Sequence, residues 1–286
     1  QIVSNERRTS IFAWYNLTGS LASACGALFA GYAVGTLTDS GWEDVAAYRS
    51  VLVAYSAVGV LLLAVFSGLS RAIEVERVAE AAAPAGLLGL GESRGTVLRL
   101  AGLFAMDSFA GGFIIDSLMA YWFVIRFDAD PKVLGGIFFG ANLLAGLSSL
   151  AAARIARRFG LINTMVFTHL PSNVLLMLVP LMPNLGAAIT MLLIRCSISQ
   201  MDVPTRQSYT MAVVKPEERA AAGGVTNVTR SLGSTLSPLI GSAMMGTAAF
   251  VNWPLYIAGA LKIVYDLLLY RAFKSIKPPE ERANGE

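Results

Sequence analysis

The chain has 286 residues, of which 55% are hydrophobic and only 14% are charged, and its mean hydropathy is +0.60. Soluble domains carry about 25% charged residues, so this composition excludes an ordinary soluble domain and predicts an integral membrane protein. The net charge of +3 is not gathered into basic blocks, so we expect no nucleic-acid partner. Two cysteines and one histidine without metal-ligand spacing predict neither a metal nor another cofactor.

Eight apolar runs follow one another along the chain, each long enough for a transmembrane helix, which needs about 20 mostly apolar residues. They cover residues 11–37, 47–69, 96–125, 133–153, 161–182, 186–214, 217–246 and 252–271. The predicted fold class is all-α, a polytopic bundle of about eight transmembrane helices. Its predicted organisation is a pair of helices in 1–70, a linker in 71–95 that mixes both charge signs, six helices in 96–273 and a tail in 274–286.

Lys and Arg in the connecting segments lie mostly on one predicted side of the membrane. That side holds Arg7, Arg8, Arg71, Arg77, Arg94, Arg154, Arg157, Arg158, Lys215, Arg219, Arg271, Lys274, Lys277 and Arg282, whereas the other holds Arg49, Arg126 and Lys132. Basic residues are enriched in cytoplasmic loops. We therefore expect a multi-pass protein of the plasma (inner) membrane with the linker and C-terminus in the cytoplasm.

Two segments resemble a known family. The basic segment "AARIARRFG" joins the second and third of the last six runs, and the string "DVPTRQSYTMAVVKPEERAAAGGVTNVTRSLGSTLSPLIG" spans a turn at "PEER". With the helix count and the charged linker, these resemble the major facilitator superfamily (MFS). In that family's loop motif a small residue precedes an Asp-Arg pair, Gly and basic residues. Arg154, Arg157, Arg158 and Gly160 are the matching positions here, although Arg157 stands where the Asp would be.

The resemblance implies a domain organisation. The six runs from residue 96 would be the C-terminal six-helix half, and the first two runs the last two helices of the N-terminal half. The chain begins at Gln1 without an initiator Met, so we expect an N-terminally truncated chain whose partners include four missing helices of the same protein.

The resemblance also implies a secondary transporter, a symporter or an antiporter, that moves a small-molecule solute through the lipid bilayer by alternating access. Whether protons are a second partner stays open. A receptor or scaffold that kept the transporter-like fold without moving solute is the alternative. No clustered catalytic motif is present, so we do not expect an enzyme.

Charged residues inside the sixth run are candidate functional residues, because an ionisable group at bilayer depth must find a partner or water. In an unbroken helix, Arg195, Asp202 and Arg206 would lie within ~20° of one face. Asp202 and Arg206 could also pair at i and i+4, with Pro204 kinking the helix between them. Either the charges form a structural network, or Arg195 and Asp202 face a central cavity.

Asp107 and Asp116 are the candidate carboxylates of the third run. Nine residues apart on one helix, they would point in opposite directions, so only one could face the cavity, and we place Asp116 there. Either could carry a proton when burial disfavours its charge, or serve as the counter-ion of Arg230.

The remaining polar candidates admit a functional or a structural interpretation. Lys262 and Asp266 are predicted to form a structural pair at i and i+4. His169 could relay protons or hydrogen-bond a neighbouring helix. Gln200 and Asn142 could contact the solute or join helices by hydrogen bonds.

Overall fold

The computed structural model describes residues 5–68, 87–276 and 278. Within them the chain forms ten α-helices and short 3₁₀ turns, with no β-strand, which confirms the all-α fold class. The helices are α1 (Asn5–Asp39), α2 (Asp44–Ser67), α3 (Arg94–Gly112), α4 (Asp116–Phe127), α5 (Pro131–Phe159), α6 (Leu161–Leu178), α7 (Leu185–Ser199), α8 (Asp202–Val213), α9 (Arg219–Met245) and α10 (Trp253–Phe273). Residues 71–86 of the predicted linker, the two residues before them and nearly all of the tail beyond 276 lie outside the described residues.

Two of the eight predicted helices are interrupted. The third run is split into α3 and α4 after the Gly111–Gly112 pair, and the sixth is split into α7 and α8 at Gln200 and Met201. Pro204 explains the second break, because it has no N–H for the carbonyl of Gln200 four residues earlier and its ring clashes with that carbonyl. The predicted kink is therefore a break between two helices.

Six helical stretches of the described residues are long and apolar enough to cross a membrane, the α3–α4 pair counting as one. The α7–α8 pair and α9 are not among the six. The first is interrupted into helices of 15 and 12 residues, and α9 is rich in Ser, Thr and Gly. Both still pack within the same helical bundle.

The basic segment after the fourth run is helical, not a loop. Helix α5 continues to Phe159, so Arg154, Arg157 and Arg158 are exposed residues of its last two turns. Only Gly160 leaves the helix, with φ of 86°, a conformation that glycine adopts without strain. Cations at a helix C-terminus are stabilised by the helix dipole.

Helix α1 packs along α5 at very short distance. A Cβ on Gly31 would lie 2.7 Å from the Cα of Gly135, so only glycine fits there. The Ser149 hydroxyl donates to the carbonyl of Ala13 at 3.2 Å near one end of this interface. Near the other end, Lys132 forms an ion pair with Asp39. The inner face of α1 is therefore held against α5 along most of its length.

Two large apolar clusters, and a small one around Val97, fill the bundle formed by α3 to α10. One surrounds Trp122, whose indole N–H donates to Asn252 Oδ1 at 2.8 Å. The other includes Phe104, Met165 and Tyr209. Asp107 lies between the clusters along α3, since Phe104 belongs to one and Phe113 to the other.

The "PEER" turn fixes the segment that enters α3. Glu218 is buried, and its carboxylate accepts a hydrogen bond from the backbone N–H of Ser93 at 3.1 Å. The Ser93 hydroxyl in turn accepts from the N–H of Lys215. Lys215 Nζ lies 2.6 Å from Glu92, and this hydrogen bond lowers the pKa of the Glu92 carboxyl below its ordinary value. The turn between α8 and α9 thus anchors the start of α3.

Candidate functional site

A buried ion network joins three helices at the centre of the bundle. Asp107 of α3 lies 3.0 Å from Arg206 Nη1 of α8 and 2.6 Å from Lys262 Nζ of α10. Arg206 Nη1 also lies 3.2 Å from Asp202. Each side chain is at most 10% exposed. Two carboxylates and two cations therefore neutralise one another where water does not reach them freely.

A second polar cluster lies next to this network, between α6 and α10. His169 Nδ1 lies 2.8 Å from Asp266 Oδ1, and Asn173 Nδ2 donates to Asp266 Oδ2 at 3.0 Å. Asp266 is fully buried. The ring nitrogen that faces the carboxylate is the one that donates, since a carboxylate only accepts. His169 thus hydrogen-bonds a neighbouring helix, and Asp266 is held by two side chains of α6.

The predicted pair between Lys262 and Asp266 is wrong. Both residues lie on α10, but Lys262 binds Asp107 and Asp266 binds His169. Each of these tertiary contacts brings the charge to a partner on another helix within 3 Å. Helical spacing predicts which side chains can meet. Here Lys262 and Asp266 each pair with a residue of another helix instead of with each other.

The predicted charged face of a single helix is also wrong. The break at Gln200 places Arg195 on α7 and the other two residues on α8. Asp202 and Arg206 lie on one helix and form an ion pair across one turn. Arg195 is half-buried and interacts electrostatically with Asp116, whereas Asp202 pairs with Arg206.

The two candidate carboxylates of the third run lie on different helices. Asp107 is buried in α3, whereas Asp116 is an exposed residue in the first turn of α4. The expectation that both lie on one helix, pointing in opposite directions, is therefore wrong. Asp107 is also the better connected of the two, because it holds two cations.

Arg230 has no carboxylate partner among the described residues. Neither Asp107 nor Asp116 forms an ion pair with it, contrary to the predicted counter-ion role. It is partly buried on α9 and faces Arg206 across a cavity of about 340 Å³. Because Asp107 pairs with Arg206 and Lys262, Arg230 has no ion-pair partner among the described residues.

This cavity lies between α1, α3, α8 and α9. Its polar side chains are Arg206, Gln207, Thr210, Thr226, Asn227 and Arg230, and its apolar ones are Phe12, Phe104, Val203 and Met211. The α9 residues recur at i, i+3, i+4 and i+7 from Gly223, so they form one helical face. We call it the α8–α9 cavity. Sequence reasoning missed Gln207, Thr226 and Asn227, although the polar spacing on α9 was a usable signal.

Gln200 and Asn142 lie apart from the α8–α9 cavity. Gln200 is exposed at the break, and its backbone N–H donates to the Ser148 hydroxyl at 3.3 Å. Asn142 donates to the carbonyl of Phe138 within α5 and borders a second, more open cavity of about 500 Å³ on α1. That cavity is lined by small polar residues of α1, among them Asn16 and Ser20, and carries no charge.

The six long apolar helical stretches of the described residues and their packing into one bundle define a multi-pass integral membrane protein. The chain belongs to the Major Facilitator Superfamily, because that family's model matches residues 1–238.

An uncharacterized membrane protein of Saccharomyces cerevisiae is 27% identical over 94% of this chain and 66% of its own length. Among solved structures, the chain resembles a bacterial homologue of the iron transporter ferroportin in an outward-facing state. The TM-score is 0.59 and the identity 16%, over 94% of this chain and 65% of that one. At that identity the likeness concerns the fold alone. The chain spans about two thirds of the length of both proteins.

Proposed function

We propose that the full-length protein is a secondary active transporter that moves a small solute by alternating access, with the α8–α9 cavity as part of the solute path. The observation that carries this proposal is the position of the cavity. Arg206 lines it and at the same time ties α8 to α3 and α10 through Asp107. A solute there would contact the same charge that joins the helices.

The interrupted helices support this mechanism. Unpaired backbone groups are tolerated at membrane depth only where they are covered by protein or line a water-filled cavity. Transporter sites are commonly built at such discontinuous helices. Helix α8 begins at a break, and its face lines the cavity.

The predicted division of the chain places the cavity between two halves. If 1–70 belongs to one half and 96–273 to the other, Phe12 of α1 is the contribution of the first half. Alternating access requires the halves to rock about a site between them. Under this proposal the ends of α8 and α9 at the "PEER" turn face the cytoplasm, in the plasma (inner) membrane.

Proton coupling forms a further part of the proposal. The buried carboxylates of Asp107 and Asp266 lie on α3 and α10, each against a nitrogen base or cation. Protonating either would weaken its contact and loosen the joined helices. Counterflow measured with and without a proton gradient separates coupled from uncoupled transport.

The experiment is solute counterflow in liposomes that hold the full-length protein, with a panel of anionic, neutral and cationic solutes. Exchange above protein-free liposomes supports transport, and no exchange of any solute supports the receptor or scaffold alternative.

Three substitutions test which residues lie on the solute path. Asn227→Ala should reduce exchange without reducing folded yield, whereas Asn163→Ala, an exposed residue near the start of α6, should not. Arg195→Ala tests the predicted solute role of Arg195 outside the cavity. If it lowers exchange and folded yield equally, its role is structural.

A further inference from the structure

The α8–α9 cavity has the charge of an anion site. We propose that it binds a small organic monoanion, a carboxylate with an apolar body, whose charged end lies against Arg230. The inference names the substrate class of the proposed transporter and in that respect rests on the proposed function. Binding itself is measurable without transport.

The balance of charges around the cavity favours an anion. Its lining contains two arginines and no carboxylate. Arg206 is already neutralised, because it pairs with Asp107 and Asp202, and Lys262, which pairs with Asp107, balances the second negative charge. Of the two arginines of the lining, Arg230 is the one without a carboxylate within 4 Å among the described residues. A partly buried, unpaired guanidinium is unfavourable, and one negative charge from a ligand would pair it.

The hydrogen-bonding groups favour the same ligand. The hydroxyls of Thr210 and Thr226 donate to carbonyls of their own helices, at 2.9 and 2.8 Å, so they have no proton left for a ligand. The donors that face the cavity are Arg206, Arg230 and the amides. Gln207 Oε1 is enclosed without a hydrogen-bond partner among the described residues. With the side-chain amide of Gln207 rotated by 180°, its NH₂ group takes the place of Oε1 and can donate a hydrogen bond to an anion.

The size and the apolar wall limit the ligand further. A volume of about 340 Å³ is at the small end of ligand sites, which span roughly 300–1,000 Å³. Phe12, Phe104, Val203 and Met211 supply the apolar part of the lining. A dianion would leave a second charge unpaired, and a cation would be repelled by Arg230. A small monocarboxylate with an apolar body matches both the charged part and the apolar part of the lining.

Ligand binding to the purified full-length protein in neutral detergent tests the proposal. Phenylacetate should raise the unfolding temperature, and phenylacetamide, which has nearly the same shape without the charge, should not. Arg230→Gln should weaken phenylacetate binding about tenfold or more, as expected for a charge-assisted hydrogen bond. Arg230→Lys keeps the positive charge and should retain most of the affinity. Binding by this variant would show that the site still folds when Arg230 is replaced. Arg126→Gln, an exposed arginine at the end of α4, is the matched control and should bind normally.

Equal stabilisation by the amide, undiminished binding in Arg230→Gln, or no stabilisation by phenylacetate overturns the proposal. Stronger Arg230-dependent stabilisation by a short-chain phosphatidate would assign the site to a lipid headgroup and overturn the solute class.

Counterflow separates this inference from the transport function. Arg230-dependent binding without any exchange supports the anion site and rejects transport. Exchange of a neutral or cationic solute that is unaffected by Arg230→Gln supports transport and rejects the anion site.

Discussion

Replacing Asp107 with Asn tests whether this carboxylate holds α3, α8 and α10 together. Asp107 is 5% exposed and contacts both Arg206 and Lys262. The Asn variant leaves those two cations with Asp202 as the remaining carboxylate of the network. Removing one partner of a buried ion pair costs about 3–5 kcal/mol, because the other charge stays buried without compensation. We expect Asp107→Asn to lose stability in this range, which is much of the stability of a typical protein.

A second substitution should restore part of that loss. Lys262→Met removes one cation and leaves Asp107 with Arg206. In the double variant Asp107→Asn, Lys262→Met, the pair of Asp202 and Arg206 remains and is neutral. The double variant should therefore be more stable than Asp107→Asn alone, because the excess positive charge is gone. Such non-additivity is the signature of a direct interaction.

The assay is thermal unfolding of the purified full-length variants in detergent, with identical heating rates because unfolding of such proteins is often irreversible. Asp128→Asn is the matched control. Asp128 is exposed, and its φ of 54° suits Asn as well as Asp, so no change is expected. If the double variant loses the sum of the two single losses, the carboxylate and the ammonium are not coupled and the network argument is refuted.

Two further predictions concern fixed contacts elsewhere in the bundle. Glu218→Ala should cost about 1.5–3 kcal/mol, because the backbone N–H of Ser93 loses its charged acceptor, whereas Glu217→Ala at an exposed position should be neutral. Limited proteolysis of residues 87–93 reports the loosening, and equal cleavage rates in both variants would contradict the anchor. Gly31→Ala should cost about 1–3 kcal/mol by overpacking, since its Cβ would meet the α5 backbone at 2.5 Å. Gly26→Ala, with open space around it, should not lower the unfolding temperature, and a similar loss in both would contradict the close packing of α1 on α5.

The helices were predictable from the sequence because apolar length is the dominant signal for a membrane span. The breaks were not, since an average over about 20 residues does not register a local loss of backbone hydrogen bonds. The relevant signals are short: the Gly111–Gly112 pair before one break, and Pro204 after the other. Treating each run as one helix then placed Arg195 on the same face as Asp202, although the break separates them.

The site was predictable only where it is local. Asp202 and Arg206 meet because one turn of helix brings them together. Asp107 and Lys262 meet across 155 residues, and no spacing rule links them. The same i, i+4 spacing rule predicted that Lys262 pairs with Asp266, but the packing of α10 against α3 places Lys262 beside Asp107. Charged residues in apolar runs thus indicate that a buried network exists, while their pairing depends on how the helices pack.

Under the proposed alternating-access mechanism, the network limits which contacts between helices can open. Separating Arg206 from Asp107 and Asp202 would leave several buried charges unpaired, at several kcal/mol for each broken pair. We therefore expect α3, α8 and α10 to move as one body. Two walls of the α8–α9 cavity belong to helices outside the network, α9 and α1. Helix α9 packs closely on α3, where a Cβ on Gly233 would lie 2.3 Å from the carbonyl oxygen of Ala105, whereas α1 contributes only the apolar Phe12. Parting α1 from α8 exposes apolar surface but breaks none of the network's ion pairs, so the opening of the cavity should occur at that contact.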